Sequence, residues 1–178
     1  MKEEKMKIKT RMVLIIGPSS QGKTTLAKRL EKELSGKNVV ISHDDVLSEI
    51  DKNQPQFFID MDFRMLLLEK ISEAVHDTHN KHIILDTVNI GKANLAAFIM
   101  LIKSYVSDKV TITLIKLNIP EGLNIEYGKK HYPELSNVEE LLLGQREDYQ
   151  GEDGSLNTSF EGLVEFEYTI ENPSKLIF

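Results

Sequence analysis

The octapeptide GPSSQGKT, Gly17 to Thr24, has the spacing with the most chemistry in it. It fits G-x-x-x-x-G-K-[ST], a loop that cradles phosphates. Gly17 and Gly22 let the backbone turn tightly, so that successive N–H groups face one point. A helix opening near Lys23 adds the positive end of its dipole there. Lys23 supplies a point charge for the outer phosphates, and the Thr24 hydroxyl supplies a ligand for Mg²⁺. The expected nucleotide contacts are Gly17, Ser19, Ser20, Gln21, Gly22, Lys23, Thr24 and Thr25. An ordinary strand-to-helix turn would give no reason for the Lys–Thr pair.

Two other stretches place carboxylates where apolar runs stop. One is SHDD, residues 42–45; the other is IILD, residues 83–86. In open α/β sheets, ligands sit beyond the carboxyl ends of the strands. A kinase acting on an alcohol needs a carboxylate to orient the hydroxyl and accept its proton. It also needs negative charge near the Mg²⁺ shell. Asp44 is the candidate for the first role and Asp86, with Thr24, for the second. The competing reading is helix capping, since Asp at an N-terminus accepts backbone N–H bonds and suits the dipole. Asp45 fits that reading better, and Asp86 could instead bond local backbone.

These side chains need a frame. Continuous apolar runs predict strands at 11–16, 38–42, 82–85 and 110–117, with a last strand at 166–170. Leu26, Leu30 and Leu34 predict a helix over 24–35 that ends before Gly36. Met61, Met65, Leu68, Ile71 and Val75 predict a helix over 57–76, and Leu95, Phe98, Ile102 and Tyr105 one over 92–106. Ser136 and Glu139 form a capping-box pattern that opens a helix at about 137–150. GEDGSLNTSFEG, 151–162, reads as loop. Strands alternating with helices predict a three-layer α/β fold on a mostly parallel sheet of about five strands. The expected organisation is a charged extension over 1–10 and a single domain over 11–178, with a helical lid at about 121–150. Arg29, on the helix behind the phosphate loop, reads as part of a solvated face.

Composition narrows the function classes. The 178 residues contain no cysteine, which removes thiol nucleophiles and Cys-based zinc sites. A net charge of −6 does not suit a protein that coats nucleic acid with a broad basic face. No apolar run approaches membrane-spanning length, and MKEEKMKIKT lacks a signal-like apolar stretch, so a cytoplasmic location without membrane partners is expected. Asn80-Lys81 lacks the aspartate of the guanine-reading Asn-Lys-x-Asp pattern, which leaves ATP as the expected nucleotide.

The strand, the phosphate loop, SHDD and IILDTVN together resemble the kinase domain of phage and bacterial polynucleotide 5′-kinases. That domain sits in a wider group of P-loop kinases that includes zeta toxins and chloramphenicol phosphotransferase. The resemblance spans most of residues 11–170. It implies a phosphotransferase using ATP and Mg²⁺, with Asp44 as general base and Asp86, Thr87 and Asn89 as the matching strand-three element. It also implies a lid cation over the transferring phosphate; Lys129, Lys130 and Arg146 lie in that region, and Arg146 is the arginine among them. One departure is plain. The family carries an arginine three residues after the base to grip the acceptor's phosphate, and this chain has Leu47. The acceptor therefore stays open between a 5′-hydroxyl polynucleotide and a small molecule or sugar nucleotide. A nucleotide switch or ATPase with no acceptor is the reading from a different class. Oligomeric state is not readable.

Overall fold

A computed structural model describes residues 10–77, 79–86, 92–106, 110–150 and 163–171. Five strands, β1 (Thr10–Ile16), β2 (Lys37–Ser42), β3 (Asn80–Asp86), β4 (Val110–Leu117) and β5 (Phe166–Ile170), form one sheet in the order β2-β3-β1-β4-β5. Every pairing is parallel. Among the described residues six helices accompany them: α1 (Lys23–Glu33), α2 (His43–Ser48), α3 (Gln56–His76), α4 (Lys92–Val106), α5 (Glu121–His131) and α6 (Val138–Gln150). The α/β expectation and the five strand positions hold. Thr10 already belongs to β1, and the 151–162 loop, Thr87 and Asn89 lie outside the described residues.

Helices cover both faces of the sheet, which is why the central strands read as unbroken apolar runs. On one face Met12, Leu14, Ile83, Leu85, Ile112 and Leu114 pack under α3 and α4. On the other, Val13, Ile15, Ile84 and Leu117 meet Leu26, Ala27 and Leu30 of α1. Burial of such side chains stabilises the fold by about 1.5–3 kcal/mol each before the entropy of ordering is subtracted. β5 is the weak edge. It is tied by the Lys116–Glu167 ion pair and by Asn118 N–H donating to Ile170 O at 2.8 Å.

The stripe predicted for α3 is only half buried. Leu67, Leu68, Ile71 and Val75 are in the core, whereas Met61 and Met65 are 45% and 58% exposed. Length explains this. The 21-residue helix α3 is about 31 Å long, against about 23 Å for the seven-residue strand β3. Its first half therefore projects past the carboxyl edge of the sheet. On α4 the buried residues are Leu95, Ile99, Ile102 and Val106, while Tyr105 is exposed.

α5 and α6 form the expected helical segment at 121–150. They pack closely at Gly128, where a Cβ would lie 2.3 Å from Leu142 Cδ1. The predicted capping box does not close as expected. The Asn137 carbonyl accepts the first helical bond, from Leu141 N–H at 3.1 Å, and Glu139 bonds Lys129 instead.

Candidate active site

β1 ends at Ile16, and the chain turns over the sheet edge at Gly17. The φ there is +148°, and a Cβ would lie 2.9 Å from the Leu117 carbonyl oxygen, so only glycine fits. Gly22 stands at φ +83° immediately before α1. Ser20, at φ +58°, is the one non-glycine residue in this backbone region among those described. Backbone held in such regions clusters at functional sites. The loop thus spends its two glycines and one strained serine on wrapping the space in front of α1.

Register brings the carboxylates to the same place. Asp86 is the last residue of β3, paired with Ile15 on one side and Ser42 on the other. It lies between the strand that leads into the phosphate loop and the strand that leads to Asp44. Ser42 caps α2 by accepting the Asp45 N–H at 3.5 Å. The cap is thus the serine, not Asp45, and both aspartates sit in the first turn, where the helix dipole favours them. Successive helical residues point about 100° apart. Asp44 accordingly lines the cleft in front of the phosphate loop, while Asp45 lines a separate groove along β2.

The cleft measures about 690 Å³ and is lined by Ser19 to Leu26, Arg29, Ser42, His43, Asp44, Asp86 and a stripe of α5. Arg29 thus faces the cleft, with its Nε bonded to Glu33 Oε1 at 2.8 Å; it is not part of a merely solvated face. Lys23 folds back on its own loop, donating from Nζ to the Gly17 and Pro18 carbonyls at 2.8 Å each. Burial pulls its pKa down to about 8, against the opposing pull of Asp86 and Asp44. Asp86 is 6% exposed. Burial pushes its carboxyl up from the usual range, offset in part by a hydrogen bond from Thr24 and by Lys23.

These residues fit a nucleotide and Mg²⁺. The Ser20 hydroxyl oxygen is buried with no hydrogen-bond partner among the described residues. The Lys23 ammonium bonds its own loop's carbonyls, from which a phosphate could draw it. Thr24 and Asp86 supply a hydroxyl and a carboxylate side by side. Among the described residues no three His, Asp or Glu side chains gather to hold a metal alone. That suits Mg²⁺, which takes one or two carboxylates and fills its shell with phosphates and water.

Sequence reasoning missed how α5 and α6 grip the loop. Gln145 Oε1 accepts the Ser19 N–H at 2.9 Å, and Asn124 Nδ2 donates to the Ser19 carbonyl at 2.8 Å. Gln21 Oε1 accepts the Ile119 N–H at 3.4 Å. Arg146, expected over the phosphates, is 9% exposed and donates from Nη1 to the Ile119 carbonyl at 2.8 Å. It holds the turn after β4 and does not line the cleft. Lys129 and Lys130 are bonded outside it, to Glu139 and Glu126 at 2.8 and 2.6 Å. Nothing in the sequence marked Asn124 or Gln145, because the burial of Asn124 appears only once α5 is placed against the loop.

Comparison with known proteins agrees with this architecture. The AAA domain family model matches residues 12–127. No curated protein sequence matches the chain. Among solved structures, the tunicamycin resistance protein of Deinococcus radiodurans superposes with a TM-score of 0.59 at 17% identity, over 91% of this chain and 86% of that one. Shikimate kinase from Acinetobacter baumannii, in complex with shikimate, gives 0.51 at 16% identity, over 93% and 85%. A chain of the Pnkp1/Rnl/Hen1 RNA repair complex gives 0.57 at 14% identity, over 78% of this chain and 46% of that one. At these identities the likeness is one of fold.

Proposed function

The chain belongs to the AAA domain family and has the fold of the P-loop kinases, and from that premise we propose that it transfers the γ-phosphate of ATP to a substrate hydroxyl. One observation carries the reading. Lys23, Thr24, Asp86 and Asp44 line a single cleft, while Asp45, next in sequence to Asp44, lines a different groove. A switch that only binds nucleotide has no use for a carboxylate aimed at that cleft.

In the proposed reaction the acceptor oxygen forms a bond to the γ-phosphorus as the bond to the β–γ bridging oxygen breaks. ADP leaves, and the hydroxyl proton passes to Asp44. Asp44 is 93% exposed at its side chain and contacts His43 Nδ1 at 3.4 Å, so it can swing toward an acceptor. Lys23 and the loop N–H groups hold the phosphates, and Thr24 with Asp86 would hold Mg²⁺. The metal, when bound, neutralises charge that develops on the phosphate oxygens. Water must be kept out, a role this reading gives to the α5–α6 segment, which is bonded to the loop at Ser19.

Among polynucleotide 5′-hydroxyls and small molecules, Leu47 favours the small acceptor. It stands one turn beyond Asp44 on α2, where a phosphate-gripping cation would be needed. The test is transfer of labelled γ-phosphate to a panel of 5′-hydroxyl oligonucleotides, nucleosides, sugar nucleotides and aminoglycoside or phenicol antibiotics. A Lys23→Ala protein that stays folded and transfers as well as the wild type would refute the reading.

A further inference from the structure

Leu123, Tyr127 and His131 recur every four residues on α5. That spacing places them on one helix face, and all three line the cleft. The other lid cations are directed elsewhere. Lys129 and Lys130 are bonded to Glu139 and Glu126, and the Arg146 guanidinium is buried on the Ile119 carbonyl. Among the described residues of α5 and α6, His131 is thus the side chain lining the cleft that can carry positive charge. Phosphoryl transfer spreads negative charge over the oxygens of the moving group, and Lys23 approaches them only from the loop side. Resting on the phosphotransferase reading, we propose that His131 is the lid side chain that contacts the transferring phosphate.

A histidine in this role makes transfer sensitive to pH. An imidazole in an ordinary setting is cationic below about pH 6.5. Facing it across the cleft are Lys23 and Arg29 from α1, His43 and Asp44 from α2, Asp86 from β3 and Glu171 after β5, with Tyr127 and Tyr132 beside it. His43 is a second imidazole lining the same cleft, so a pH profile of the wild type alone does not single out His131. The His131→Arg variant does, because its charge is permanent.

The experiment measures kcat for transfer to the best acceptor of the panel, between about pH 5.5 and 8.5, and the Kd of a non-hydrolysable ATP analogue. Wild type, His131→Ala, His131→Arg and the outward-facing control Lys130→Ala are compared as full chains. His131→Ala should lower kcat about a hundredfold near pH 6 and weaken binding of the analogue. His131→Arg should keep kcat and hold it as pH rises, where the wild type falls; Lys130→Ala should match the wild type. The inference is overturned if His131→Ala keeps both wild-type constants, or if His131→Arg keeps the wild-type pH limb. Transfer that needs Lys23 but not His131 would sink this inference and leave the kinase reading standing. Loss of analogue affinity in His131→Ala, with no transfer by the wild type to any acceptor, would do the reverse.

Discussion

Between pH 8 and 9, binding of an ATP analogue should draw a proton from solution, and Lys23 should be where it goes. In the free protein burial holds the ammonium out of water, so its pKa falls from 10.5 to about 8 against the opposing pull of Asp86 and Asp44. That shift corresponds to about 3 kcal/mol against the charged form. Phosphate arriving at the loop supplies the missing negative charge. If the bound value returns to the ordinary one near 10.4, uptake should be about 0.1 proton at pH 7, about 0.5 at pH 8 and about 0.9 at pH 9. The triphosphate itself is already ionised above pH 8 and should contribute little. The sign follows for affinity as well. Above pH 8 the free protein must first take up its proton, so Kd should rise roughly fivefold from pH 8 to pH 9. Calorimetric titration at saturating Mg²⁺, in buffers with different ionisation enthalpies, reads the proton directly. Binding heat that does not change with buffer at pH 9, or uptake that persists in Lys23→Met, would refute the reasoning.

Asp44→Asn should keep analogue affinity and lose transfer by about a hundred- to ten-thousand-fold, while Asp45→Asn stays within a few-fold; equal activity of the two in a labelled-phosphate assay would make both carboxylates structural. Asp86→Asn should abolish Mg²⁺-dependent turnover yet raise Tm at neutral pH. Its folded pKa lies above the unfolded 3.8, so its contribution to stability declines as pH rises through that window, and a fall in Tm would contradict this. Asn124→Ala should cost about 1–3 kcal/mol in denaturant unfolding, because Asn124 is fully buried and its amide bonds the Ser19 carbonyl; it should weaken nucleotide binding too.

The sheet and the phosphate loop were readable for physical reasons. Strands buried on both faces are apolar at most positions, so β1, β3 and β4 announced themselves although β4 also buries Thr113 and Lys116. Gly17, Lys23 and Thr24 could be named because the spacing of a phosphate-binding loop requires them; the structure adds that a Cβ at Gly17 would meet the Leu117 carbonyl. α2 was not readable. Six residues make fewer than two turns, too short for a periodic signal. Nor was the fate of Arg146. Its bond to Ile119 depends on how α6 folds back across the turn after β4, which no local pattern encodes.

α5 shows where hydropathy fails and why. Its buried residues are Asn124 and Gly128, while Leu123 and Tyr127 are 40% and 43% exposed. A helix placed by a hydrophobic core would have these the other way round. α5 is instead placed by two different neighbours. Gly128 lets α6 approach closely, and Asn124 reaches the backbone of the phosphate loop. That leaves Leu123, Tyr127 and His131 facing the cleft, partly in solvent, where a bound nucleotide could cover them. Local rules are expected to break at functional sites, because residues there are chosen for a ligand and not for the core. The inversion on α5 is therefore itself evidence about the site. It suits a helix face that a ligand would complete, carried on the same helix whose Asn124 bonds the Ser19 carbonyl inside the phosphate loop.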